Sequence, residues 1–138
     1  MIKLSNFLKL IRFKNLVIII LIQMAIKFFL INAYLENQVL SNYDFTIYLF
    51  SLITIVAGGY IINDIYDIEI DKINKPIAII IEKKFRKSTA LRTYRTLNIL
   101  GITFGFYIAY QINKFWLGFM FVFFAYSLFK YSKNYVLK

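Results

Sequence analysis

Four of the seven acidic residues in this 138-residue chain lie in one stretch of eight. The stretch and its flank read Asn63-Asp64-Ile65-Tyr66-Asp67-Ile68-Glu69-Ile70-Asp71. On a helix each residue advances ~100°. With Asp64 at zero, Asp67 falls near ~300°, Asp71 near ~340° and Asn63 near ~260°, an arc of ~100°. Glu69 lands near ~140°, on the other side. The spacing therefore groups three aspartates with an asparagine and leaves the glutamate out. Carboxylates this close repel and cannot all ionise cheaply. A divalent cation removes that cost, and Mg²⁺ prefers hard oxygen ligands and commonly joins one or two carboxylates to substrate phosphates. The cluster is suited to Mg²⁺ and a phosphorylated ligand, with Lys72, Lys75 and the basic run Lys83 to Lys87 adding positive charge for a diphosphate. A solvated acidic helix end is the ordinary alternative, but here the acids share one face within a basic loop.

Other chemistries are narrowed by composition. Cysteine and histidine are both absent, so there is no disulfide frame, thiolate site or imidazole base. The elements that must position the cluster are apolar: 60% of the residues are hydrophobic, against ~45–50% in soluble domains. A transmembrane helix needs ~20 mostly apolar residues. Four stretches fit: Leu16 to Leu35, Phe45 to Ile62, Leu91 to Tyr110 and Phe115 to Tyr131. The sequence thus predicts an all-α integral membrane bundle with four transmembrane helices, in a single domain spanning 1–138.

Charge placement supports this. Lys+Arg number 17 against 7 Asp+Glu, a net charge of +10. A nucleic-acid partner would require these cations on one solvated face. They occur instead in blocks between apolar runs, which points to membrane lipid and away from nucleic acid. Short cytoplasmic loops collect Lys and Arg. The N-terminal segment, the loop Asn63 to Ala90 and the C-terminal tail are basic, while Glu36 to Asp44 has no cation and the last connection has only Lys114. Both termini and the aspartate loop are therefore expected on the cytoplasmic side of the cell (plasma) membrane. The first apolar stretch lacks a small-x-small cleavage site and reads as a retained span.

The run from Ala57 to Pro76, with Asn63-Asp64-x-x-Asp67-x-x-x-Asp71 at its centre, resembles the first signature of the UbiA superfamily of intramembrane prenyltransferases, placed at the cytoplasmic end of the second transmembrane helix. The longer form around Ile70 to Pro76 looks most like the branch acting on isoprenoid-glycerol lipids, such as geranylgeranylglycerol-phosphate geranylgeranyltransferase, or on quinone head groups. The resemblance implies a nine-helix bundle of which this chain is the N-terminal half. It also implies Mg²⁺-dependent transfer of a prenyl group from a polyprenyl diphosphate to a lipophilic acceptor. By the same resemblance Asp64, Asp67 and Asp71 are metal ligands and Asn63 binds substrate. Arg12 and Asn15, ahead of the first span, resemble another substrate-binding position of the family, with a basic cytoplasmic flank as the alternative. Tyr126-x-x-x-Lys130 fits a further family element, which gives Tyr126 and Lys130 a catalytic role at the diphosphate. An anchoring lysine at the interface is the simple alternative for Lys130.

Two departures stand out. The polar, arginine-containing stretch usual after Pro76 is replaced by Ile77-Ala78-Ile79-Ile80-Ile81. No second aspartate cluster occurs within the 138 residues. The expectation is accordingly a chain that lacks its C-terminal half and is inactive alone. The rival readings are a non-catalytic membrane module that binds a Mg²⁺–diphosphate lipid, and a small cation-handling membrane protein. Lys27, within the first span, is a functional candidate by position alone, although a snorkelling or cavity-facing lysine is the simpler reading. Phe119, Phe121, Phe123, Phe124 and Phe129 read as lipid-facing or packing residues, and Gly101-x-x-x-Gly105 as a close helix contact.

Overall fold

The computed structural model describes residues 4–31, 40–74 and 79–134. Among these the chain is helical, and the single β-bridge, Ile81 to Phe85, belongs to a turn. Helix α1 is Leu4–Leu10 and α2 is Phe13–Ala25, which runs on as a π-helical stretch, Ile26–Ile31. Helix α3 is Asn42–Tyr66, α4 is the short Ile68–Asn74, α5 is Lys87–Gln111, and α6 is Gly118–Lys133 after a 3₁₀ turn at Phe115–Leu117.

Three helices among the described residues are long and apolar enough to cross a membrane: Phe13–Ile31, Asn42–Tyr66 and Phe115–Lys133. The expected third span, Leu91 to Tyr110, is a helix of sufficient length inside α5. Arg92, Arg95 and several threonines make its first half too polar to count with the other three. The observed architecture is an all-α membrane bundle with three such spans and one long, more polar helix. The last residues of the first expected span, 32–35, lie outside the described residues.

Helix α3 is the centre of the bundle, since α5, α6 and α2 all pack on it. It starts with a local cap, in which Ser41 Oγ accepts from the Asp44 backbone N–H at 3.1 Å. Its buried residues include Ser51, Thr54, Gly58, Gly59, Ile61 and Ile62. Small residues let the neighbouring helices approach closely, which matters where lipid supplies no hydrophobic drive between helices. The main buried cluster joins Leu10, Ile11 and Leu16 from the N-terminal segment to Ile61, Ile62 and Ile65 of α3, with Ile81 and Phe85 closing one side.

The polar residues of the first span are explained by α3. Tyr48 donates to Gln23 Oε1 at 3.1 Å, and Lys27 Nζ donates to Asn42 Oδ1 at 2.8 Å. Gln23 and Lys27 are one turn apart, so both face the same partner helix. Lys27 is 4% exposed, and its ammonium lies 4.4 Å from the Phe45 ring centroid. The residue thus joins two helices at the end opposite the aspartates. Lys27 is buried against neutral partners, the Asn42 amide oxygen and the Phe45 ring, so its desolvation is only partly offset. An apolar side chain of similar volume is expected to be neutral or stabilising, whereas a void costs ~2–5 kcal/mol. Lys27→Met is therefore expected to unfold within ~1 kcal/mol of wild type or later, and Lys27→Ala clearly earlier, by thermal unfolding in detergent. A catalytic Lys27 would differ in function alone, with a Met variant as stable as wild type that has lost activity.

Candidate functional site

The aspartate segment is not one continuous helix. Helix α3 ends at Tyr66, Asp67 sits at the junction with φ −87° and ψ −1°, and α4 begins at Ile68. The helical bonding nevertheless carries across, with Asp67 N–H donating to the Asn63 carbonyl at 2.9 Å and Asp71 N–H to the Asp67 carbonyl at 2.8 Å. The bend therefore changes direction without changing face. Asn63, Asp64, Asp67 and Asp71 all line one cavity of about 470 Å³. Glu69 lies away from it, with its side chain 81% exposed and paired to Lys72 at 2.8 Å.

The other walls come from two distant segments. Lys9 and Arg12 enter from α1 and the residues after it, and Ile79, Ile80 and Ile81 form an apolar wall. A tight turn presents that wall: Lys84 and Phe85 N–H both donate to the Ile80 carbonyl, at 2.8 and 3.2 Å. Glu82, at the turn's tip, takes a positive φ of 73°.

Two contacts organise the polar wall. Arg12 donates to Asp64 Oδ1 at 2.8 Å, and its guanidinium carbon lies 5.0 Å from the Tyr60 ring centroid. Tyr60 and Asp64 are one helical turn apart, so a single arginine spans both. Asn63 donates through Nδ2 to Asp67 Oδ2 at 2.7 Å, while its own Oδ1 is buried with no hydrogen-bond partner. A buried acceptor left unpaired costs about 1–3 kcal/mol, so this oxygen is a ready contact for a ligand. Among the described residues, no three acidic side chains converge closely enough to hold one ion. The pairings account for that: Asp64 is drawn to Arg12 and Asp67 to Asn63. The donor set fits Mg²⁺, which seldom uses an all-protein cage and takes one or two carboxylates together with waters and phosphate oxygens.

The remaining sequence candidates are placed as follows. Lys72 is held between Glu69 at 2.8 Å and Glu82 at 3.1 Å, and does not line the cavity. Those two hydrogen bonds, Glu69 first, raise its pKa, so it stays charged through the neutral range. Lys75 lies outside the described residues. Asn15 is exposed and outside the cavity lining, with its backbone N–H bonded to the Arg12 carbonyl at 2.8 Å. Tyr126 and Lys130 line a different cavity of about 410 Å³, together with Phe129, Lys133 and Asn134. The two cavities share no lining residue. Phe129, which lines the second, meets Tyr66 at the end of α3 edge to face, at 6.2 Å between centroids. Lys9 is the cavity residue the motif did not indicate. Its one signal in the sequence is nearness, three residues before Arg12, because α1 stops at Leu10 and Arg12 lies beyond it.

Comparison with known proteins bears on the family of the chain. Residues 17–137 match the UbiA prenyltransferase family. A digeranylgeranylglyceryl phosphate synthase from Methanocaldococcus jannaschii is 34% identical over 106 residues, which is 77% of this chain and 36% of the relative. The protein of the same name from Saccharolobus solfataricus is 52% identical over 48 residues, 35% of this chain and 17% of the relative. That from Sulfolobus acidocaldarius is 44% identical over 50 residues, 33% of this chain and 18% of the relative. The matched segments thus span between about a sixth and about a third of these relatives. No solved structure gives a significant match.

Proposed function

The chain belongs to the UbiA prenyltransferase family, and from that premise we propose that its aspartate cavity binds the Mg²⁺–diphosphate end of a polyprenyl diphosphate for prenyl transfer to a lipophilic acceptor. The observation that carries this is the single cavity shared by Asn63, Asp64, Asp67 and Asp71 at the end of an apolar helix. We place α5 in the membrane as a fourth span, with Arg92 and Arg95 in the headgroup layer. On this reading the aspartate loop and the N-terminus face the cytoplasm at the cell membrane. The names of the relatives favour an isoprenoid-glycerol lipid as acceptor over a quinone precursor.

In this reading one or two of Asp64, Asp67 and Asp71 at a time would ligate the metal, with waters and phosphate oxygens completing its shell, and the Asn63 carbonyl oxygen would take a metal-bound water or a ligand donor. Bound Mg²⁺ stabilises the charge that develops on the departing diphosphate. The allylic carbon–oxygen bond breaks with its electron pair leaving on the diphosphate. The acceptor then forms the new bond at that carbon and releases its proton to solvent. Ile79, Ile80 and Ile81 keep that side of the cavity apolar, where the prenyl chain emerges. Tyr126 and Lys130 serve as a second contact region beyond Tyr66. The 138 residues contain no second aspartate cluster, so the chain alone is proposed to bind this end of the donor and to need a further segment for turnover.

The test is a binding and transfer assay in lipid nanodiscs with a labelled C20 prenyl diphosphate. Retention of the label is expected with Mg²⁺ and should be lost on chelation. Transfer to an isoprenoid-glycerol acceptor is expected once the remainder of a full-length relative is supplied. Metal-independent retention would sink the reading. Retention without transfer, even in the completed protein, would favour a non-catalytic binding module.

A further inference from the structure

Among the residues that line the cavity, Arg12 alone has a positive φ. Its backbone is left-handed, with φ 51° and ψ 53°, between α1 and α2. Few residues other than glycine, asparagine or aspartate adopt that region readily, so contacts must hold it there. Its backbone N–H donates to the Lys9 carbonyl at 3.1 Å and its carbonyl accepts from Asn15 and Leu16 N–H, while its side chain is fixed by the ion pair to Asp64 and the stack over Tyr60. The pair is partly sheltered, with side-chain exposures of 44% for Arg12 and 20% for Asp64. A strained backbone at a functional site signals a position held for a purpose.

The charge of the cavity suggests the purpose. Three carboxylates face two cations, Lys9 and Arg12, which leaves one net negative charge among the described lining. A bare anion is repelled by such a site. One oxygen of Asp64, Oδ1, also already accepts from the guanidinium, which neutralises the carboxylate as a metal ion would. We propose that Arg12 is an internal counter-cation for Asp64, that a divalent ion displaces it, and that the freed guanidinium then binds the anion brought with that ion. This rests on the magnesium–diphosphate reading above and adds the order of events. The same arginine keeps the empty site from self-repulsion and becomes an anion contact once the metal is seated. Its planar fork suits carboxylate and phosphate oxygens alike.

The proposal makes two effects of one substitution run in opposite directions. In Arg12→Gln, Mg²⁺ titrated into the chain in nanodiscs should bind about three- to tenfold more tightly, because its competitor at Asp64 is gone. Inorganic diphosphate, titrated at saturating Mg²⁺, should bind about tenfold more weakly, because a charged donor is lost. Tyr60→Leu changes no charge but removes the ring under the guanidinium, and should tighten Mg²⁺ about two- to threefold. Lys9→Gln removes a nearby charge that does not hold Asp64, and should move Mg²⁺ affinity less than twofold. Equal tightening in Lys9→Gln and Arg12→Gln, with none in Tyr60→Leu, would reduce the effect to general electrostatics and overturn the latch. Weaker Mg²⁺ binding in Arg12→Gln would overturn it as well. Wild-type protein that binds no Mg²⁺ would overturn both the latch and the functional reading beneath it.

Discussion

Asp67→Asn is expected to weaken Mg²⁺-dependent diphosphate binding by about 100-fold or more while leaving the ligand-free protein at least as stable as wild type. Asp71→Asn should behave in the same way. The binding loss follows from removing a formal negative charge from the donor set of a hard cation, where outer-shell changes alone cost about 10- to 100-fold. The stability expectation follows from the opposite bookkeeping. Asp64, Asp67 and Asp71 line one cavity, so each feels its neighbours' charge. Neutralising one relieves that repulsion in the empty state. The Asn63 amide, now 2.7 Å from Asp67 Oδ2, can still donate to the carbonyl oxygen of an asparagine. Diphosphate titration and thermal unfolding on the same preparations separate the two effects. A variant that loses stability along with binding would mark the aspartates as structural. A variant that keeps its binding would remove the metal reading altogether.

Much of this site was legible because its signal is local. The spacing of Asn63, Asp64, Asp67 and Asp71 depends only on helical periodicity, and the i to i−4 bonds preserve that period across the bend at Asp67. The apolar runs were equally readable, since length and composition decide whether a helix suits a bilayer. Long-range pairing was not legible. Lys72 is adjacent to the motif, yet Glu82 turns back to meet it at 3.1 Å through a residue with positive φ. No propensity forecasts that fold-back. Lys9 lines the cavity from α1, which the left-handed Arg12 separates from α2, so the two do not run on as one helix. Tyr126 and Lys130 have the right spacing between themselves, but spacing within α6 does not say which face of α3 it packs on. The start of α5 is polar in the sequence as well, since Arg92 and Arg95 qualify it as a span only if they lie in the headgroup layer, and its helix does not count with the three apolar ones.

The seam that seats α5 on α3 supports a further expectation of large effect, a clear loss of stability in Gly101→Ala. A Cβ at Gly101 would lie 2.5 Å from Ile55 Cγ1, 2.8 Å from Thr54 Oγ1 and 2.9 Å from the Ser51 backbone carbonyl. The last of these cannot rotate away. Ser51 Oγ also donates to the Gly101 carbonyl at 2.6 Å, a buried bond that separation of the helices would break. Alanine gains about 1 kcal/mol of helix propensity over glycine. Against this stand about 1–3 kcal/mol of overpacking and about 0.6–2 kcal/mol for an interhelical hydrogen bond. The net expectation is destabilisation of about 1–3 kcal/mol. Gly59→Ala is the matched comparison, because the atoms its Cβ would meet all belong to the Leu128 side chain. A leucine can change rotamer, so that variant should stay within about 1 kcal/mol of wild type. Ser51 lies twelve residues before Asn63, or about 18 Å along α3 at the usual helical rise. Below its unfolding temperature, Gly101→Ala should therefore keep Mg²⁺ affinity within about twofold of wild type. If affinity falls in step with stability, the aspartates depend on the α3–α5 seam for their positions. If only stability falls, the cavity is built locally, from the end of α3 and the two segments that close over it.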